Sequence, residues 1–460
     1  MKLATLMLIV VAGQAAESVH LPDHQRHTFG NGAVLILAPK SDVPMMTARL
    51  YIKGGDESDP QGMPGVAAIT ADLLRSGTQK RSADQISKEL DAMGATFSAL
   101  VNRQATVLTA DFLSKDSDRM IDLLSDLFVR PNFPEAEVKK VLARRMDQLR
   151  SIKDSPGRAV GAYFDPFYFG VKHPYGQPED ELSVAKVTRQ SIVDYHKKMY
   201  VGRNLVVVVS GDFDTKAMSS KLGILRFLGG GEAYAWKQAA APKYDSARLL
   251  LVDKPDATQT YFIIGQPGIE RTSPDRVPLL LVNTLFGGRF TSMLNDELRV
   301  NTGLTYGARS EMERDRLTGV NLISTYTKTE TTEKAIDLAL DVLHRLQDNG
   351  ISAEQLASAK AYVKGGFPTQ FLETDGQVSQ VLGELEIFGL NRGEIDDLFS
   401  AIDAVTVERA NEVIKKYYGD PNLQFCLVGN AARIQESVKK YAPKMKVASI
   451  KDPGFGVPEF

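Results

Sequence analysis

The sequence predicts an α+β fold of two homologous lobes, each an antiparallel sheet with helices packed on one face. Three observations predict it. At 460 residues the chain is too long for one ordinary core. The run Asn204-Leu205-Val206-Val207-Val208-Val209-Ser210-Gly211-Asp212 returns about half the chain later as Asn422-Leu423-Gln424-Phe425-Cys426-Leu427-Val428-Gly429-Asn430. Each copy reads as a buried strand closed by a glycine turn and followed by a helix, the mark of a duplicated unit. Each half also mixes short apolar strands with long helices, which is the order of an α+β sandwich.

In chain order, residues 1–16 read as an export signal. Lys2 gives one positive charge, residues 3–12 are apolar but too short to span a bilayer, and Gly13-Gln14-Ala15 offers small residues for cleavage after Ala15 or Ala16. The first lobe, 25–230, opens with strands at Ala33 to Ala38 and Met46 to Ile52, the second ending at Gly54-Gly55. An amphipathic helix follows from Gly65. Ala95 to Leu100 and Ala105 to Ala110 form a hairpin whose first strand is read as a passive sheet edge, and Pro134 to Ile152 forms a long helix. Gly229-Gly230-Gly231 and Ala239-Ala240-Ala241-Pro242 place a linker at 231–246. The second lobe, 247–450, repeats the opening. Strands at Arg248 to Asp253 and Gln259 to Gly265 lead into helices at Pro274 to Phe286 and, later, Thr332 to Asp348.

Composition excludes several classes of function. With 55 Lys and Arg against 57 Asp and Glu, no global charge draws the chain to nucleic acid or anionic lipid. The single cysteine, Cys426, rules out an internal disulfide and reads as a buried structural thiol. Export with one cysteine suggests a bacterial periplasm and, after signal cleavage, no membrane association. The glycine run lacks the Lys-Ser/Thr of a phosphate loop. His20, His24 and His27 are close in sequence, but Pro22 breaks helical register and no carboxylate completes a set. His173, His196 and His344 stand singly.

The segment from Gly65 to Thr78 resembles the metal helix of the pitrilysin/insulinase family of inverted-motif zinc peptidases, Gly-x-x-His-x-x-Glu-His-x-Leu-x-x-Gly-Thr. Gly65, Leu74, Gly77 and Thr78 match, as do the preceding Gly54, Gly55, Asp59 and Gly62. The reactive positions do not. Ala68 and Asp72 stand where the two histidines would be, Ala71 stands at the general base, and the third ligand falls near Val141. An alanine cannot take a proton from water, and one carboxylate out of four groups does not make a zinc site. The resemblance therefore implies the fold, of the LuxS and processing-peptidase type, with no catalytic group and no metal on this chain alone.

A second pattern survives intact. Leu298-Arg299-Val300-Asn301-Thr302-Gly303-Leu304-Thr305-Tyr306 keeps every fixed position of the family's Leu-Arg-x-x-x-Gly-Leu-x-Tyr. Arg299 is expected on the last turn of a helix that ends at Asn301 to Gly303, with Tyr306 starting a strand. In the family this pair approaches the substrate and the tetrahedral intermediate, and a guanidinium and a phenol are suitable donors to a developing oxyanion. Some members of the family divide the labour between two chains, one with the zinc helix and one without. The resemblance therefore implies a heterodimer with a homologous zinc-bearing subunit, zinc in that partner, peptides as substrates, and Arg299 and Tyr306 as support for the partner's site. A purely structural or binding subunit is the alternative.

Overall fold

The computed structural model describes residues 18–460; the export signal expected at 1–16 lies outside the described residues. Two six-stranded sheets carry the fold. The first contains β1 (Gln25–Thr28), β2 (Val34–Pro39), β3 (Met45–Lys53), β4 (Thr96–Val101), β5 (Ala105–Leu113) and β6 (Leu205–Gly211), in the order β1-β2-β6-β3-β5-β4. The second contains β7 (Arg248–Asp253), β8 (Gln259–Pro267), β9 (Ala308–Arg314), β10 (Gly319–Lys328), β11 (Gln424–Gly429) and β12 (Lys444–Ser449), in the order β12-β7-β11-β8-β10-β9. Without the outermost strands β1 and β12, the two orders are the same path traced twice. The fold is α+β with two lobes, as the repeat of β6 in β11 predicts. The stretch between Leu228 and Ala247 carries no regular structure.

Two features depart from the expected frame. The sheets are mixed and not purely antiparallel, because β2 pairs β6, β7 pairs β11 and β12 pairs β7 in parallel. Both faces of each sheet are also covered. The helices that position the site and the packing are α1 (Val66–Leu73), α2 (Glu135–Asp154), α3 (Pro156–Phe169), α4 (Arg276–Asn283), α5 (Thr332–Asn349), α6 (Ala353–Phe371) and α7 (Asp375–Phe388). Helix α7, from the second half, crosses onto β3 and β6 of the first sheet. There Arg49 Nε donates to Ser379 Oγ (3.0 Å) and Ser210 Oγ donates to the Asp375 carbonyl (2.6 Å). Helix α3, from the first half, crosses onto β8 and β11 of the second sheet. A Cβ at Gly265 would lie 2.5 Å from Phe164, so the bare glycine lets the aromatic ring rest on the strand.

This exchange explains why the central strands are apolar at every position and not at alternate ones. In β6, Leu205, Val207 and Val209 pack with the first lobe's own helices, while Val206 and Val208 pack with α7. In β11, Phe425 and Leu427 face one core, while Cys426 and Val428 face α3 in the other. Burial of each large apolar side chain contributes roughly 1.5–3 kcal/mol, so the crossed helices tie the lobes together through two shared cores.

Candidate functional site

The first lobe presents the frame of a metal helix with its chemistry replaced. Helix α1 starts at Gly65, which has φ +101° and so takes a left-handed turn that a side chain disfavours. Asp59 secures that start. Its Oδ2 accepts from the Gly65 N–H (2.6 Å) and its Oδ1 from the Ala67 N–H (2.7 Å). Burial pushes the Asp59 carboxyl up to about 8, against these two N–H groups, which favour its charged form. The end of the segment is also held: Thr78 Oγ1 donates to Asp126 Oδ2 (2.5 Å), and Gly77 turns with φ +135°.

Between these fixed ends no donors converge. Ala68 offers a methyl group to a cavity of about 350 Å³. Ala71 is 2% exposed, and Val141 on α2 is 4% exposed. Asp72 shares a pocket with Ala71 and Val141, and its nearest cation, Arg144 Nη2, is 4.0 Å away. The structure thus brings Ala71, Asp72 and the third-ligand position Val141 together as the alignment expects, with one carboxylate among them. On the next position of α2, Arg145 faces the Ala68 cavity and forms a two-pronged pair with Glu179, one arm being Nε to Oε1 at 2.5 Å. The hydrogen bonds from Glu179, ahead of the cost of burial, raise the Arg145 pKa. The Arg145 guanidinium occupies Glu179, and Arg144 stands near Asp72, so these carboxylates face cations of the chain itself. Among the described residues no group of three or more His, Cys, Asp or Glu side chains is placed to hold a metal, and the residues present do not fit zinc.

Arg144 and Arg145 were not singled out from the sequence. Their signal was there, since they follow Val141 by three and four residues and so share its helix face. The histidines stay apart. His20 is 4.0 Å from Asp396, His24 Nδ1 approaches the Pro22 carbonyl at 3.0 Å, and His27 meets the ring of Phe29 edge-on. His173 Nδ1 accepts from the Tyr175 N–H, His196 Nε2 lies 2.9 Å from the Phe128 carbonyl, and His344 is exposed.

The second lobe is the opposite case. Ser292 accepts from the Asn295 N–H and starts a helical run from Met293 that continues through a π-turn over Asp296–Asn301. Arg299 sits in its last turn, and Gly303 at φ +63° ends it. Tyr306 lies two residues before β9 and not within a strand, because Thr305 Oγ1 turns the chain by accepting from the Gly307 N–H (3.2 Å). The Arg299 guanidinium lies between two rings, 4.7 Å from the centroid of Tyr306 and 4.8 Å from that of Phe290. Such cation–π contacts hold a guanidinium without using its N–H donors. Tyr306 is 75% exposed and Phe290 63% exposed. Neither Arg299 nor Tyr306 makes a side-chain hydrogen bond or ion pair among the described residues, so the donors of both are free. Tyr306 and Phe290 border a groove of about 660 Å³ that Gly157 and Gly161 of α3 also line. Gly161 lines the Ala68 cavity as well, so the two regions meet at α3.

A two-lobed peptidase frame without metal donors, together with a free arginine–tyrosine pair, defines a class, and comparison with known proteins places the chain within it. Residues 35–159 match the model described as insulinase, peptidase family M16, and residues 186–363 match the one described as peptidase M16 inactive domain. The chain belongs to the insulinase (M16) family. It is 25% identical over 406 residues to an uncharacterized zinc protease of Mycobacterium leprae, covering 86% of this chain and 90% of that protein. It is 22% identical over 432 residues to the non-peptidase homolog YmxG of Helicobacter pylori, covering 93% and 98%. The crystal structure of a peptidase M16 inactive domain from Pseudomonas fluorescens superposes with a TM-score of 0.82 at 24% identity, covering 88% of this chain and 98% of that one.

Proposed function

We propose that this chain is the zinc-less subunit of a two-chain peptidase, exported to the periplasm through residues 1–16 and paired with a homologous subunit that binds zinc. The observation that carries the reading is the contrast between the two lobes. The metal helix holds alanine, alanine and one aspartate beside two arginines, while half-buried Arg299 and exposed Tyr306 leave their side-chain hydrogen-bond donors unused among the described residues. In this reading zinc, when bound in the partner subunit, would supply the activation of water. The Arg299 N–H groups and the Tyr306 hydroxyl donate to the scissile carbonyl oxygen, whose negative charge grows in the transition state. Cation–π stacking on Phe290 and Tyr306 orients the guanidinium beforehand, so less entropy is lost when substrate arrives. The description of the Helicobacter pylori relative as a non-peptidase homolog supports a chain that is inactive alone.

The deciding experiment is co-purification with a homologous chain that carries the intact zinc helix, followed by cleavage of a fluorogenic peptide with and without chelator. Activity is expected only in the mixture and only with metal. Arg299→Ala and Tyr306→Phe are expected to lower kcat there. Unchanged turnover in both variants would leave a structural or binding subunit as the correct description.

A further inference from the structure

A second recess opens beside the Tyr306 groove, and it has a surplus of positive charge. It has a volume of about 500 Å³ and lies among α4, α6 and α7, around the edge of the sheet where β9 runs. Gly288 and Tyr362 line both spaces and form their common lip. Three guanidiniums, Arg271, Arg276 and Arg314, face it. Two of them share one carboxylate: Arg271 Nη1 and Arg276 Nη2 each lie 2.6 Å from a different oxygen of Glu394. The other nearby carboxylate, Glu384, accepts from Gln380 Nε2 at 2.9 Å. Arg314 is left without an ion pair or side-chain hydrogen bond among the described residues. It is half-buried at the end of β9, beside the apolar side chains that α6 and α7 contribute to the recess. Burial, followed by the charge of Arg271, pushes the Arg314 pKa down to about 10, against the raising effect of Glu394 and Glu384. A half-buried guanidinium with no hydrogen-bonded carboxylate keeps its donors available to an incoming anion.

We propose that this recess binds a carboxylate of a peptide whose chain lies in the Tyr306 groove, with Arg314 as the pairing residue. This rests on the reading of the groove as a peptide site. Chain geometry permits it. Tyr306 and Arg314 are eight residues apart, so their Cα atoms are separated by at most about 29 Å, a distance an extended peptide of about eight residues spans. The planar fork of Arg314 suits a carboxylate in two-pronged contact, and the ring of Tyr362 at the lip offers a surface for the adjoining side chain. Both a C-terminal carboxylate and an Asp or Glu side chain carry this chemistry.

The test is fluorescence anisotropy on the full mature chain with N-terminally labelled octapeptides of neutral side chains. One ends in a free carboxylate, one in an amide, and one in an amide preceded by Glu. The free acid is expected to bind at least tenfold more tightly than the plain amide, equivalent to about 1.4 kcal/mol. In Arg314→Met the difference is expected to collapse, and in Arg314→Lys part of it is expected to return. If the Glu-bearing amide matches the free acid, a side-chain carboxylate suffices; if it matches the plain amide, the recess reads the chain terminus. Equal binding of acid and plain amide, or a preference that survives Arg314→Met, overturns the proposal. Substituting Arg299 and Tyr306 together separates the two readings, since it is expected to weaken all three peptides by a similar factor and leave the acid-to-amide ratio intact. Failure of every peptide to bind the wild-type chain would overturn both readings. Peptides that bind without an acid preference would overturn this one alone.

Discussion

In the first lobe the residues that match the metal helix of the family are those with a structural task, and in the second lobe the matching pair has none. Asp59 holds the start of α1, Thr78 bonds to Asp126, Leu74 is fully buried and Gly65 and Gly77 occupy left-handed turns. The positions between them, Ala68, Ala71 and Asp72, make no comparable contact. Arg299 and Tyr306 touch each other and Phe290 and are otherwise turned to solvent. Packing accounts for the first set and not for the second. The comparison teaches that a helix can keep its place in a fold after losing its chemistry, because the frame is held at its ends. A pair whose only side-chain contacts are with each other and Phe290 is better explained by what it meets outside the chain.

The sharpest way to break the contrast is to remove the pair. In the mixed complex Arg299→Ala with Tyr306→Phe is expected to lower kcat by about 10²–10³-fold, the scale of losing one oxyanion donor, while thermal unfolding of the isolated chain stays within a degree or two. A large stability loss would mean that the pair is structural after all.

A difference in acid response follows next. Burial pushes the His196 imidazole in the first lobe from 6.5 down to about 4, against the raising effect of the Phe128 carbonyl. Between those values the unfolded chain binds a proton that the folded chain refuses. The associated stability is fully present above about pH 6.5 and is lost as pH falls toward 4, up to about 3 kcal/mol. Denaturant melts of wild type and His196→Gln at pH 7.5 and 5 check this, the variant showing the smaller drop.

The clasp between lobes gives a third measure. At Gly383 of α7 a Cβ would lie 2.1 Å from the ring of Tyr51, whereas at Gly161 of α3 nothing stands within 4 Å. Gly383→Ala is expected to destabilise the chain by about 1–3 kcal/mol, and Gly161→Ala to do so much less, as chemical denaturation would show. The smallest effect is expected at the empty helix site. Asp72→Ala should leave turnover of the mixed complex within twofold, and the dialysed wild-type chain should retain no stoichiometric zinc in metal analysis. Stoichiometric zinc that disappears with Asp72→Ala would reverse the assignment of the two lobes.

Much of the frame was legible before any coordinates. The echo of Val206 to Gly211 in Gln424 to Gly429 located the corresponding central strands of both sheets. The spacing of Arg299 and Tyr306 around Gly303 predicted Arg299 in the last turn of a helix, where it lies, and Tyr306 at the start of a strand, which it instead precedes by two residues. What did not show was pairing at a distance. Parallel neighbours such as β2 and β6 are separated by most of a lobe, and nothing local marks them. Arg145 with Glu179, and Arg314 left unpaired near Arg271 and Arg276, depend on residues from separate elements meeting in space.

By itself the sequence determined the period of each element, the duplication, and the reduction of the metal helix to Ala68, Ala71 and the single carboxylate of Asp72, because these are properties of residues and their local spacing. Only the tertiary structure decided that each half lends a helix to the other, that Arg144 and Arg145 stand beside the would-be metal position, and that Arg314 lacks a partner among the described residues. Those depend on which faces meet, and burial, charge balance and hydrogen bonding take their values only once the chain has closed on itself.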